Sequence, residues 1–322
     1  MTGGRSPLLL SGEGAVECNE TGVRASAATQ IAMPDPHPTA TAVHRARARL
    51  GEGPSWDAAE GVLWWVDVWD YRVHRWDPRT GDDRVFDMGE ATAFAVPARG
   101  GAVVGLRQRV VRLDVATGQV ETLAEVPGLD PRERINDGKC DPRGRLWFGT
   151  QAKEDGKASL WRLDGAGLER MGGDLTIANG FAWSPDEGTM YLSDSPAKRI
   201  YAYPFNADAG TLGERHLFAD LAEEDSFPDG ASTDAEGCLW SAQWEGGCVL
   251  RFAPDGRRAG RIELPVPIPT SCAFGGEGRR ELYVTTAQIG LGDEQIEAAW
   301  ESGDLFRLEM DVPGEPVSSF VY

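Results

Sequence analysis

The sequence predicts an all-β fold assembled from repeated units, and three observations support this prediction. The chain has 322 residues with 40 Gly and 20 Pro, a turn-rich composition that is typical of many short strands. An apolar doublet that follows a Gly-containing turn recurs six times along the chain. After each doublet comes a second strand-like run, and several of these runs end in a further turn.

The beginning of the chain differs from the rest. Residues 1–41 are rich in Gly, Ser, Ala, Thr and Pro and show no sustained apolar periodicity. This composition predicts a flexible, disordered N-terminal extension. The folded domain is therefore predicted over residues 42–322.

The six repeats predict the architecture of that domain. The doublets are spaced 40 to 49 residues apart, and they are Leu63-Trp64, Val103-Val104, Leu146-Trp147, Met190-Tyr191, Leu239-Trp240 and Leu282-Tyr283. The runs that follow them cover residues 73–76, 110–113, 160–163, 200–203, 249–252 and 305–308. Units of this length with four short strands are typical of propeller blades, so the chain is predicted to be a six-bladed β-propeller. We expect residues 42–50 to supply a strand to the last blade and so close the ring.

Composition excludes several classes of partner. The formal net charge is −19, which disfavours binding to nucleic acid and to anionic membrane surfaces. No apolar run approaches the roughly 18 residues that span a bilayer, and no signal-peptide core is present, so a cytoplasmic location is predicted. The five Cys form no CxxC pair and are predicted to be reduced. The four His form no HxxH or HExxH pair, so a histidine-rich zinc site is not expected. The sequence does not indicate an oligomeric state.

The repeat register predicts a site on the propeller axis. Innermost strands converge at the channel, and counting back ten or eleven residues from each doublet gives equivalent positions. Four of these positions carry side-chain oxygens, namely Glu52, Asn136, Asn179 and Asp229, whereas blade two gives Thr92 or Ala93 and blade six gives Ser271 or Cys272. Two carboxylates and two amides on one level require a cation, and such oxygen ligands suit Ca²⁺, Mg²⁺ or Mn²⁺ better than Zn²⁺.

An alternative interpretation remains for single motifs. The dipeptides Asp137-Gly138, Asn179-Gly180 and Asp229-Gly230 are also ordinary turn sequences, but the shared register favours the site. Other acids lie in turn-like sequences and are predicted to be solvated. These are Asp141, Asp186 and Asp255.

The motifs in this order resemble the SMP-30/gluconolactonase/regucalcin family over residues 42–315. The motifs that carry the resemblance are LGEGPSW at 50–56, RINDGK at 134–139, GT at 149–150, ANGFAWS at 178–184, YLSDS at 191–195, PDG at 228–230 and TSCAFGG at 270–276. The resemblance implies a six-bladed propeller with one divalent cation in the channel. It implies that Glu52, Asn179 and Asp229 bind this cation and that Arg134, Asn136 and Glu154 contact the substrate.

The resemblance also implies an activity, which is hydrolysis of a sugar lactone such as a glucono-, galactono-, arabino- or xylonolactone to the aldonic acid. Ca²⁺ is the preferred cation, with Mg²⁺, Mn²⁺, Zn²⁺ and Fe²⁺ as alternatives. Either Asp229 or water bound to the cation would act as the base. The chain lacks GxSxG, GxGxxG and P-loop motifs, so neither a serine nucleophile nor a nucleotide cofactor is expected. Two alternatives stay open: a hydrolase of another ester or phosphotriester, and a non-enzymatic calcium-binding regulatory propeller.

Overall fold

A computed structural model describes residues 38–322 as 25 strands, one short α-helix and one 3₁₀ turn. The predicted extension over residues 1–41 lies almost entirely outside the described residues. Strand β1 covers Thr41–His44, and blade one follows with β2 (Gly51–Asp57), β3 (Val62–Asp67), β4 (Arg72–Trp76) and β5 (Asp83–Asp87). Blade two contains β6 (Thr92–Ala98), β7 (Gly101–Leu106), β8 (Arg109–Asp114) and β9 (Val120–Glu125). Blade three contains β10 (Arg134–Cys140), β11 (Leu146–Gln151), β12 (Ala158–Asp164) and β13 (Gly167–Leu175).

The second half of the ring repeats this pattern. Blade four contains β14 (Ala178–Trp183), β15 (Thr189–Asp194), β16 (Arg199–Asn206), β17 (Thr211–Leu212) and β18 (His216–Asp220). Blade five contains β19 (Phe227–Thr233), β20 (Leu239–Trp244), β21 (Cys248–Phe252) and β22 (Arg258–Glu263). Blade six contains β23 (Pro269–Gly275), the 3₁₀ turn Glu277–Arg279, β24 (Glu281–Thr286), the helix α1 (Asp293–Ala298) and β25 (Leu305–Glu309). The predicted all-β six-bladed propeller is confirmed, and every doublet and following run lies in a strand.

The ring closes between the two ends of the propeller. Strand β1 pairs antiparallel with β25, with Thr41 opposite Arg307 and Ala42 opposite Phe306. Blade six is thus a four-stranded sheet in the order β23, β24, β25 and β1. The predicted closing strand is confirmed, although it ends at His44 and not at residue 50.

The apolar core lies between blades. Six buried clusters occur among the described residues, and each draws side chains from two neighbouring blades. Trp64 of blade one packs with Val104 of blade two, and Trp240 of blade five packs with Phe274 of blade six. Because a blade is an open sheet, it buries both faces only when it has a neighbour on each side.

The C-terminal segment crosses one end of the channel. Backbone hydrogen bonds join Glu315 to Thr233, Phe320 to Pro97 and Val321 to Gly144. These contacts attach the segment to blades five, two and three. No helix within residues 38–322 is long and apolar enough to cross a membrane.

One of the predicted surface turns contains a buried aspartate, so the solvated assignment of Asp141 is wrong. Asp141 is fully buried, and its carboxylate accepts hydrogen bonds from Arg145 Nε at 2.7 Å and Trp147 Nε1 at 3.0 Å. Asp234 repeats the arrangement in blade five, because it is also fully buried and accepts from Trp240 Nε1 at 2.9 Å.

The exposed acids behave as predicted. Asp186 and Asp255 are exposed in turns, and Asp255 pairs with the exposed Arg257. The turn motif alone does not distinguish buried aspartates from exposed ones. Each buried aspartate is followed six residues later by a Trp, and the buried indole N–H of this Trp needs an acceptor in the core.

We expect Asp234→Ala to destabilise the propeller. Removing this carboxylate leaves Arg251, which donates from Nε at 2.9 Å, and the Trp240 indole without their acceptor. The loss of one partner from a buried ion pair costs about 3–5 kcal/mol. Urea unfolding followed by tryptophan fluorescence measures this change. Asp255→Ala is the control and should leave the midpoint almost unchanged; equal midpoints for the two variants would contradict the assignment.

Candidate active site at the mouth of the central channel

All six innermost strands carry an irregularity at one level. The pairing register shifts between Glu52 and Ser55, Thr92 and Phe94, Ile135 and Asp137, Asn179 and Ala182, Pro228 and Ala231, and Pro269 and Ser271. A β-bulge turns the strand and re-aims its side chains, so a repeated bulge directs one position of each blade to the same region. In blade six the bulge falls at Thr270, so the predicted equivalents Ser271 and Cys272 are one or two residues too late.

One of these bulges depends on a glycine. Gly180 has φ of +68°, and a Cβ there would lie 2.6 Å from the backbone oxygen of Asp229. Only glycine allows blades four and five to approach so closely at this level. The Asn179-Gly180 sequence therefore lies within strand β14 and does not form a hairpin turn. Its glycine allows β14 to pack closely against blade five.

The structure brings five of the six predicted site residues into one cavity of about 450 Å³. These are Glu52, Arg134, Asn136, Asn179 and Asp229. They come from blades one, three, four and five, whose innermost strands meet only in the folded ring. The sixth residue, Glu154, is exposed on the loop between β11 and β12 and is not among the described residues that line the cavity. Gln151, three residues earlier, does line it.

The carboxyl groups in this cavity are poorly solvated. Burial, followed by the negative charge of Asp137, raises the pKa of Glu52 to about 8. Burial also raises the pKa of Asp229, and the charges of Glu52 and Asp137 add to this effect. The cavity therefore concentrates negative charge where water cannot screen it, and a cation would relieve the repulsion.

A chain of hydrogen bonds orients the amide of Asn179. Asn136 Nδ2 donates to Asn179 Oδ1 at 2.6 Å, and Asn179 Nδ2 donates to Ser195 Oγ at 2.8 Å. Ser195 Oγ in turn donates to the backbone oxygen of Pro228 at 2.7 Å. The chain joins blades three, four and five beside Asp229. Asn136 thus contacts a predicted cation ligand directly, which the sequence had not indicated.

Arg134 supplies positive charge to the cavity. Its guanidinium lies 5.4 Å from the ring centre of Trp69, and NH1 donates to the backbone oxygen of Ile135 at 2.9 Å. Burial lowers the pKa of Arg134 to about 10, while the charges of Glu52 and Asp229 oppose this shift. Arg134 therefore stays protonated at neutral pH, and its positive charge interacts favourably with the carboxyl groups of Glu52 and Asp229.

Several residues of the site were missed at the sequence level. Asp137 is a third, half-buried carboxyl, and its oxygens accept hydrogen bonds from the backbone N–H groups of Gly138 at 2.7 Å and Gly180 at 2.8 Å. Trp69, Phe227, Trp244 and Ile289 give the cavity apolar walls. Asp137 could have been identified from the sequence, because it directly follows the predicted site residue Asn136. The apolar wall residues could not, because they lie at the ends of strands and in loops, where the repeat pattern stops.

Comparison with known proteins agrees with this geometry. The family model described as the SMP-30/Gluconolactonase/LRE-like region matches residues 50–288. The chain is 41% identical to a 6-deoxy-6-sulfogluconolactonase from Pseudomonas putida, over 86% of this chain and 96% of that protein. It is 35% identical to the pentonolactonase XacC from Haloferax volcanii, over 86% of this chain and 97% of that protein.

A solved structure shows the same fold. The calcium-binding protein regucalcin from Agrobacterium tumefaciens superimposes with a TM-score of 0.84 and 29% sequence identity, covering 89% of this chain and 97% of that one. The family match spans well over half of this chain and includes all the residues that line the cavity except Ile289 and Gly290. The chain therefore belongs to the SMP-30/gluconolactonase/LRE-like family.

Proposed function

We propose that this protein is a lactonase that hydrolyses a sugar lactone to the aldonic acid with the help of one divalent cation. The observation that carries the proposal is the group of oxygen side chains formed by the half-buried Glu52 and the buried Asn179 and Asp229, beside Arg134 in one open cavity. The relatives named as lactonases, at 41% and 35% identity over almost their whole length, support the same activity.

The donor set fits a hard divalent cation. Glu52 and Asp229 offer carboxylate oxygens and Asn179 offers an amide oxygen, with no sulfur or imidazole among the residues lining the cavity. Oxygen donors of this kind favour Ca²⁺, with Mg²⁺, Mn²⁺, Zn²⁺ and Fe²⁺ as alternatives. Burial and, after it, neighbouring carboxyl charges raise the pKa of both groups, and a divalent cation would offset this cost of ionisation. When bound, such a cation supplies Lewis acidity toward the lactone carbonyl.

Asp229 is the proposed general base. Its carboxylate would accept a proton from the water whose oxygen attacks the lactone carbonyl carbon. The ring C–O bond then breaks, and the proton passes to the departing hydroxyl oxygen. Asp229 is also one of the proposed cation ligands, so its carboxylate would lie beside a water that the cation polarises.

Arg134 and Asn136 are the proposed substrate-binding residues. The Arg134 guanidinium offers donors that stabilise negative charge developing on the carbonyl oxygen or bind a sugar hydroxyl. Asn136 Nδ2 donates to Ala178 O and Asn179 Oδ1 of blade four. The Oδ1 atom of Asn136 is therefore left to accept a hydrogen bond from a sugar hydroxyl. The rings of Trp69 and Trp244 would pack against the C–H faces of the sugar and exclude water. Glu154 remains a proposed further contact from its loop.

Calcium binding without turnover is the second candidate function. It is favoured by the structural likeness to a protein described as a calcium-binding regucalcin. The cavity favours the enzyme, because a purely structural ion would not need an open volume of about 450 Å³ with apolar walls next to it.

Two further proposals concern the domain boundary and the cellular location. We propose that the propeller domain begins with strand β1 at Thr41, one residue before the predicted boundary at 42. We also propose a cytoplasmic location, which agrees with the buried free thiols of Cys140, Cys238, Cys248 and Cys272.

Lactone hydrolysis should depend on added cation. Full-length protein freed of metal with a chelator is assayed with a panel of aldonolactones, and acid release is followed with a pH indicator. We expect turnover of at least one lactone after reconstitution with Ca²⁺, Mg²⁺, Mn²⁺ or Zn²⁺, and little without. A phosphotriester and a simple aryl ester serve as controls for the alternative substrates. Calcium binding with no turnover of any lactone would favour the non-enzymatic candidate.

Glu52→Gln should abolish most cation binding while keeping the fold. Removal of a ligand should cost at least about 100-fold in affinity, and removal of a buried charge should raise the thermal midpoint of the metal-free protein. In the wild-type protein, cation affinity should weaken as pH falls below about 8, because a proton then occupies the Glu52 carboxyl and must be displaced. Calorimetry at pH 9 and pH 6 measures both effects. The exposed Asp186→Asn is the control, and equal affinity in Glu52→Gln would overturn the ligand assignment.

Arg134→Ala separates substrate binding from cation binding. The loss of a charged hydrogen bond to the substrate costs about 1.5–3 kcal/mol, so kcat/KM should fall roughly tenfold to over a hundredfold. Cation affinity should not weaken, because Arg134 repels the cation. Lysine should restore little, since an ammonium lacks the planar fork. The exposed Arg132→Ala on the preceding loop is the matched control. Turnover within about twofold of wild type would refute the role of Arg134.

A further inference from the structure

Three potential metal ligands meet at the closure of the ring, far along the blades from the central cavity. His44 lies on β1, the closing strand of blade six, whereas His74 and Asp83 lie on β4 and β5 of blade one. Asp83 Oδ2 is 3.0 Å from His44 Nε2 and 2.7 Å from His74 Nδ1. None of the three lines the central cavity.

These side chains are largely removed from solvent. The exposed fractions are 19% for His44, 8% for His74 and 10% for Asp83. The ring of Trp65 stacks on His74 with 3.9 Å between ring centres, and Trp76 lies 6.0 Å from His44. Such an environment shields a bound ion from water and limits ligand movement.

The hydrogen bonding of Asp83 is unbalanced. Both imidazoles contact Oδ2, whereas Oδ1 is buried and has no hydrogen-bond partner among residues 38–322. A buried carboxylate oxygen without a partner is costly, and it is a common sign of an ion or water that binds there. This observation is independent of the convergence of the three residues.

The spacing suits a first-row transition metal. One ligand atom from each residue lies within 4.8 Å of the others. Ligands about 2.0–2.1 Å from a tetrahedral zinc ion lie about 3.3 Å from one another. To admit the ion, the two Asp83 distances need to widen by a few tenths of an ångström, and the two imidazole nitrogens, which lie within 4.8 Å of each other, need to reach a similar separation.

We propose that His44, His74 and Asp83 form a second metal site, which binds Zn²⁺ or a similar borderline divalent ion. Two imidazoles and one carboxylate suit such an ion, whereas the all-oxygen set of the central cavity suits a harder one. Each neutral imidazole binds through the nitrogen that now faces Asp83 and carries its proton on the other ring nitrogen. Water completes the coordination.

The ion would clamp the ring. Strand β1 joins blade six to the start of the chain, and its described contacts with blade one include this cluster. An ion held by β1, β4 and β5 resists separation of blade six from blade one. The sequence had not suggested a zinc site because the ligands are separated by 30 and 9 residues and meet only when the propeller closes.

The experiment uses full-length protein, freed of metal and then saturated with Ca²⁺ to occupy the central site. Co²⁺ is titrated and followed by visible absorption, and Zn²⁺ is titrated by calorimetry and thermal unfolding. We expect one Co²⁺ per chain with the intense bands of tetrahedral coordination. Zn²⁺ at about 100 times its Kd should raise the thermal midpoint by roughly 5 °C or more.

Variants assign the site. His44→Gln and Asp83→Asn should lose the cobalt spectrum and the Zn²⁺ stabilisation, whereas the exposed His216→Gln on β18 should keep both. Lactone turnover with Ca²⁺ should stay within about twofold in His44→Gln, so failure of this proposal is distinguishable from failure of the proposed activity. Wild-type protein that binds no further ion under Ca²⁺ saturation would overturn the proposal, and the cluster would be a hydrogen-bonded tie only. Identical cobalt spectra in His44→Gln, Asp83→Asn and wild type would also overturn it.

Discussion

The structure depends on the burial of each blade between two neighbours. Each apolar cluster lies at an interface between blades, and none of those described lies within a single sheet. An isolated blade would expose one apolar face, so free energy is gained only as the ring fills and closes. The pairing of β1 with β25 closes the ring, and the other interfaces between blades are fully buried only in the closed ring.

The same closure places the polar residues of the channel. Bulges at one level of all six innermost strands direct side chains to a shared mouth, while the C-terminal segment crosses the other end. Burying Glu52, Asp137 and Asp229 together opposes folding, as their raised pKa values indicate. Such an arrangement is retained where it serves function, because electrostatic groups act most strongly in a site that excludes water.

The blades could be predicted from the sequence because each repeat states its own pattern. Doublets such as Leu63-Trp64 are strand residues buried on both faces, and counting back from them gave Glu52, Asn136, Asn179 and Asp229. What could not be predicted depends on side-chain contacts that form only in the folded chain. The burial of Asp141 follows from a partner six residues away, and the Asn136–Asn179 hydrogen bond follows from the meeting of β10 and β14. Glu154 was assigned by counting residues along a loop, and in a loop the residue spacing does not determine which way a side chain points.

Closure of the ring positions Glu52, one of the proposed cation ligands. Asn179 and Asp229 lie in adjacent blades four and five, whose contacts survive as long as those two blades stay packed. Glu52 belongs to blade one, which is separated from blade five by blade six on one side of the ring and by blades two to four on the other. The seam between blades one and six contains strand β1, which pairs with β25. Opening the seam would therefore move the Glu52 carboxylate away from the other two proposed cation ligands. Strand β1, which the His44–Asp83 contact ties to blade one, is thus part of the framework that places Glu52 near Asn179 and Asp229.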